Sequence, residues 1–131
     1  MQTTPLEAQD VLDYLKASGR WTEELRATLR ETVRRFRLDH DPGNGKRSFL
    51  RRTYDCPFFA GGQLGCTIPS EVKPYGCLGF NAAAAAVTAG EGCHSDQALL
   101  ARQDSAASAV DHRLGVSWEK LPLPLALLQL A

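Results

Sequence analysis

The sequence predicts a mainly α protein of one small domain, residues 1–131, whose helices wrap around an irregular loop rich in cysteine and glycine. Three observations lead there. Apolar residues recur at helical spacing in residues 4–38 and again in 95–131. Residues 54–94 hold all four cysteines, together with Gly61, Gly62, Gly65, Gly76, Gly79, Gly90 and Gly92. At 131 residues and 44% hydrophobic content, the chain suits one core burying about two thirds of its unfolded surface, with no room for a second domain.

The elements follow in order. Thr4-Pro5-Leu6-Glu7 is a capping box, with Thr4 accepting from an early amide, Pro5 at the first helical position and Glu7 reaching back. Ala8, Val11, Leu12 and Leu15 then form one apolar stripe, and Gly19 supplies the left-handed residue that ends the helix. Thr22, Glu23 and Glu24 open a second helix with Leu25, Leu29, Val33 and Phe36 as its buried face. These two make a helical hairpin over about 4–38.

The rest of the second helix carries Arg26, Arg30, Arg34, Arg35 and Arg37, and Arg47, Arg51 and Arg52 extend this basic stretch. Glu23, Glu24 and Glu31 are interleaved, no aromatic stacking platform accompanies the arginines, and the whole chain is neutral, so a solvated face is expected and no nucleic-acid partner. Residues 39–46, DHDPGNGK, lack the third ligand, central glycine and final glutamate of a calcium loop, and their Pro and Gly mark a turn holding a solvated His40.

Beyond the cysteines, NAAAAAVTAG at 81–90 predicts a short helix capped by Asn81 and stopped by Gly90. Ser95 is then expected to cap a helix over about 96–114, with Leu99, Leu100, Ala106, Ala107, Val110 and Leu114 inward and Gly115 as terminator. His112, near its C-terminus, stands where a positive group stabilises a helix. The tail has Trp118 and leucines at 121, 123, 125, 127, 128 and 130, with Pro122 and Pro124 holding its start extended before a last short helix. These leucines are expected inside the core, a homodimer through the leucine-rich tail being the alternative.

The chemistry lies with Cys56, Cys66, Cys77 and Cys93, separated by nine, ten and fifteen residues. The first twenty residues show no basic start followed by an apolar core, so a cytoplasmic location is expected, where clustered thiols bind metal or do redox chemistry more often than they form staples. No stretch approaches the roughly 20 apolar residues of a membrane span, so no membrane partner is expected. The gaps are long beside the paired knuckles of zinc fingers. Thiolate is favoured where amides and helix N-termini face sulfur, and Cys93 precedes the Ser95 cap while Cys77 precedes the Asn81 cap. The glycines allow tight bends that expose amides, and Arg51, Arg52 and Lys73 lie close enough in sequence to offset the roughly two net negative charges of four thiolates around a divalent ion. Convergence would require the sulfurs to meet within about 4 Å of one another, on metal bonds of roughly 2.3 Å.

The stretch YDCPFFAGGQLGCTIPSEVKPYGCLGFN resembles the later half of a cysteine-cluster family of zinc- or iron-chelating proteins, which runs C-P-F-L, a glycine turn, C-x-I-Y, R-P and C-R, often with a further cysteine downstream. Cys56, Pro57, Phe58, Cys66, Ile68, Pro74 and Cys77 stand in that order, and Cys93 is the downstream member. Pro69 replaces the family's tyrosine, Lys73 and Leu78 replace its two arginines, and the N-terminal C-x-x-C and C-C cluster is missing. The resemblance therefore implies one four-cysteine site binding zinc or iron, with no reaction attached.

Four thiolates suit zinc, mononuclear iron and an iron-sulfur cluster equally. His94 is the stand-in if one cysteine is not a ligand. The alternatives are a thiol/disulfide redox protein, against which the lack of a C-x-x-C speaks, and a helical protein-interaction module with incidental cysteines. No Ser/His/Asp set, phosphate loop or carboxylate pair at acid-base spacing stands out, so no enzyme activity is assigned.

Overall fold

A computed structural model describes residues 2–40, 54–60, 65–74, 77, 80–82, 93–95, 97–115 and 120–131, and these are mainly helical. Strand β1 (Gln2–Thr3) leads into α1 (Pro5–Ala17), followed by α2 (Glu23–Phe36) and a 3-10 turn at Ser70–Val72. Then come β2 (Phe80–Ala82), β3 (Cys93–Ser95), α3 (Gln97–Leu114), β4 (Leu121–Pro122) and α4 (Leu123–Leu130). The strands form two antiparallel pairs, β1 with β4 and β2 with β3.

Helix α1 starts as its sequence dictates. Thr4 Oγ1 accepts from the Glu7 amide at 3.3 Å, and the Thr4 amide donates to Glu7 Oε2 at 2.7 Å, closing the capping box. The same carboxylate accepts from buried Thr3 Oγ1 at 3.2 Å, so the cap also ties down β1. At the other end Gly19 takes φ +68°, and the Arg20 and Gly19 amides reach Leu15 and Lys16 carbonyls at 2.8 and 3.1 Å. This pair of bonds is a Schellman motif, open to glycine at no steric cost. Helix α2 closes the same way, with the Leu38 amide on the Val33 carbonyl, but the left-handed residue is Arg37 at φ 52°, a conformation that carries strain for a residue with a Cβ.

The core joins Ala8, Val11, Leu12 and Leu15 of α1, Leu29 of α2, Leu123, Ala126 and Leu127 of α4, and Phe58 and Ile68 from the cysteine loop. Helix α4 is what α1 and α2 both pack on, and the two are joined more through it than directly. The leucine tail is thus a wall of the core. Leu25 and Phe36, expected in the buried face of α2, are half-buried.

Three expectations are corrected. Asn81 does not cap a helix: it lies in β2 with its backbone paired to His94 of β3, and Ala82 pairs with Cys93. Alanine propensity is a weak local preference, and a cross-strand ladder at residues 80–82 overrides it there; residues 83–90 lie outside the described residues. Ser95 is likewise a strand residue, paired with Phe80, and α3 begins at Gln97. The expected inward face of α3 also fails: Ala106, Val110 and Leu114 are exposed, Val110 by 41% and Leu114 by 58%. The side chains of Leu99, Leu100 and Ala107 lie outside those described, as do residues 41–53 with the expected turn, Arg47, Arg51 and Arg52, and also Trp118. Gly115 does terminate α3, at φ +63°.

Candidate functional site

The cysteine loop is held by its apolar residues. Phe58 and Ile68 enter the core and Pro74 is fully buried, each within three residues of a cysteine. Cys56 precedes a turn at Pro57 and Phe58, closed by the Phe59 amide on the Cys56 carbonyl at 3.0 Å. Phe59 then bridges Cys66, flanked by bonds from the Ala60 amide to the Gly65 carbonyl (2.8 Å) and from the Thr67 amide to the Phe58 carbonyl (2.7 Å). Gly65, at φ +54°, makes the left-handed step just before Cys66. Cys77 is reached through the 3-10 turn, which packs against α1, and its amide donates to the Pro74 carbonyl at 2.8 Å.

Cys56, Cys66 and Cys77 are half-buried free thiols, the first two packed against the core. They lie near enough that Cys66 bears electrostatically on Cys56 and both bear on Cys77. Burial pushes the Cys56 thiol up, the Phe58 and Phe59 amides aimed at its sulfur draw it back, and the charge of Cys66 raises it again. Burial pushes Cys77 up to about 12, reinforced by Cys56 and Cys66 and opposed by Lys73. Tyr54 is raised by burial and then by Cys56 and Cys77, while the Leu123 amide at the start of α4 bonds its phenol oxygen. Amides do therefore face sulfur, but at Cys56 they come from the turn that follows it, not from a helix N-terminus.

Among the described residues, no group of three or more His, Cys, Asp or Glu is arranged so that it could hold a metal ion. Of Cys93 the backbone is described, in β3 opposite Ala82, and His94 follows opposite Asn81; neither side chain is among those described. Lys73 bears on Cys77 as expected of a compensating charge.

Two neighbours of the thiols gave no signal in the sequence. Tyr54 adjoins the loop and its ring meets Phe36 at 6.5 Å between centroids. Arg20 grips Thr67, the residue after Cys66, from a position 47 residues away. No local pattern announces a contact of that separation.

Other candidate surfaces carry less chemistry. On α2, Glu23 pairs with Arg26 and Arg30, and Glu31 with Arg34, so these arginines meet the interleaved glutamates. Hydrogen bonds from Arg30 and Arg34 hold the Glu23 and Glu31 carboxyls below their ordinary range. A groove of about 440 Å³ runs beside them, lined by Ala27, Thr28, Glu31, Thr32, Arg35, Phe36 and Asp55. His112 is exposed near the end of α3. Among the described residues, no helix is long and apolar enough to cross a membrane. No protein-family model, curated protein or solved structure matches the chain.

Proposed function

We propose that this protein binds one zinc or iron ion, or an iron-sulfur cluster, through Cys56, Cys66, Cys77 and Cys93. The observation that carries the proposal is the grouping of three free thiols from 22 residues of chain, in which Cys66 bears electrostatically on Cys56 and both bear on Cys77. A divalent ion would add to Lys73 the positive charge that favours thiolate here, taking the place of the thiol protons. The order of residues shared with the cysteine-cluster chelating family points the same way. Because the thiols must move together onto the ion, binding is coupled to closure of the loop and adds to folding stability.

The competing functions draw less support. Thiol exchange needs thiolate near neutral pH, and burial moves Cys56 and Cys77 away from it. An interaction module acting through the leucine tail would need leucines that α4 spends on the core, Leu123 and Leu127 above all.

Elemental analysis and the absorption spectrum of protein purified without chelator test the proposal. One zinc per chain without colour, or iron with visible absorption, is expected, lost in each of Cys56→Ser, Cys66→Ser, Cys77→Ser and Cys93→Ser. Protein that takes up neither metal, or retains it in all four variants, overturns the proposal. A free-thiol count under denaturing conditions that finds disulfides would favour the redox function instead.

A further inference from the structure

The chain turns sharply at Gly19, and the next residue points back at the cysteine loop. Arg20 donates from Nη1 to the Thr67 carbonyl at 2.8 Å and from Nη2 to Thr67 Oγ1 at 2.9 Å. Tyr14 supports the guanidinium from below, its ring centroid 5.8 Å from the Arg20 Cζ and its hydroxyl 3.4 Å from Nη1. Thr67 follows Cys66 directly, and its own amide donates to the Phe58 carbonyl, two residues after Cys56. Thr67 is thereby held from two directions. One bond ties it to the turn that aims amides at the Cys56 sulfur; the forked grip of Arg20 ties it to the end of α1.

We propose that Arg20 is a positioning residue of the thiol site, fixing the backbone at Cys66 relative to Cys56 and so setting how tightly the site holds metal. This rests on the metal-binding function proposed above. The fork explains why arginine stands here: its planar guanidinium offers two parallel donors to a carbonyl and a hydroxyl of one residue, a geometry that the single ammonium of lysine does not reproduce. Residues that orient a ligand from outside the coordination sphere typically change metal affinity 10- to 100-fold when removed. A grip on the flank of one of four ligands belongs at the lower end of that range.

Cobalt(II) is the probe, because sulfur-to-cobalt absorption in the near ultraviolet grows with each thiolate bound and d-d bands report tetrahedral geometry. The wild-type chain, Arg20→Ala, Arg20→Lys and Thr67→Val are titrated with cobalt, and the thermal midpoint of each metal-free protein is measured alongside. Arg20→Ala should lose about tenfold in cobalt affinity and show weaker sulfur-to-cobalt absorption per metal. Arg20→Lys keeps the charge without the fork and should recover only part of the loss; Thr67→Val, lacking one acceptor, should fall between wild type and Arg20→Ala. If the wild type binds cobalt through thiolates and the variants match it in affinity and spectrum, Arg20 has no positioning role and the metal site stands. A lowered midpoint with an unchanged cobalt spectrum likewise assigns Arg20 to folding alone and overturns the proposal. If the wild type shows no thiolate-cobalt absorption, the metal site and this role fall together. Should Arg20→Ala not fold, Arg20→Lys and Thr67→Val carry the same comparison.

Discussion

Helix α1 buries Ala8, Val11, Leu12 and Leu15 completely, whereas in α3 the described side chains, Ala98, Ala101, Arg102, Ser105, Ala106, Ser108, Ala109, Val110, His112, Arg113 and Leu114 among them, are exposed. Both are regular helices of at least three turns, and each ends at a glycine with positive φ. They differ in what holds them. The stripe of α1 meets α4 and the loop residues Phe58 and Ile68, so its helix is fixed by packing. The exposed part of α3 relies on local terms, chiefly its alanines, which lose little entropy in a helix. Making a helix and burying one are separate events: the first is decided within a few residues, the second by what the rest of the chain brings to its face.

The largest effect that would sharpen this contrast is Leu12→Ala. Leu12 is fully buried between α1 and α4, and truncation should cost about 2–5 kcal/mol in urea unfolding. A smaller cost would mean that the core closes over the gap and that α1 is less firmly packed than its burial implies.

Next comes the alkaline limb of stability, which belongs to the loop side of the molecule and not to α3. Cys77 is pushed up to about 12 and Cys56 is raised as well, so in the metal-free fold both keep protons that the unfolded chain gives up near its ordinary thiol range. The folded state therefore binds more protons. The stability this contributes is fully present below the ordinary thiol range and is lost as pH rises toward 12. With chelator present, the thermal midpoint should fall through that window, and Cys77→Ala should make the fall shallower. A midpoint that does not change there, or one equally steep without Cys77, contradicts the half-buried position of this thiol.

The smallest expected effect is Leu114→Ala in α3, within about 0.5 kcal/mol, because 58% of that residue already faces water. It is also the easiest way to break the comparison. A cost like that of Leu12→Ala would show that α3 is covered in solution.

The cysteine loop lies between these extremes in legibility. That Cys56 and Cys66 would bear electrostatically on Cys77 was foreseeable from their confinement to one glycine-rich stretch. The means were not. Sequence reasoning sought helix N-termini at Asn81 and Ser95 to face the sulfurs, but β2 and β3 pair across the segment that contains both. Two three-residue strands carry almost no periodic signal of their own, and five alanines in a row outweigh them in any local count. The amides that do face Cys56 belong to Phe58 and Phe59, because Phe58 is drawn into the core and bends the chain behind the cysteine. Arg20 escaped notice for a related reason: its partner is 47 residues distant, and only the docking of the loop on α1 brings them together.

The amino-acid order alone determined the limits of α1, the start of α2 and the glycine that ends α3, since caps, left-handed glycines and a stripe of period 3.6 act over four or five residues. It also supplied the four thiols on which the proposed metal site rests. Only the tertiary structure decided that the short helix of the leucine tail would join α1 to α2, that the apolar residues of α3 at 106, 110 and 114 would remain in water, and that Thr67 would be held between Arg20 and Phe58. Those outcomes depend on competition among surfaces far apart in the chain for a limited core, and a hydrophobic pattern records a residue's preference for burial without naming the partner that satisfies it.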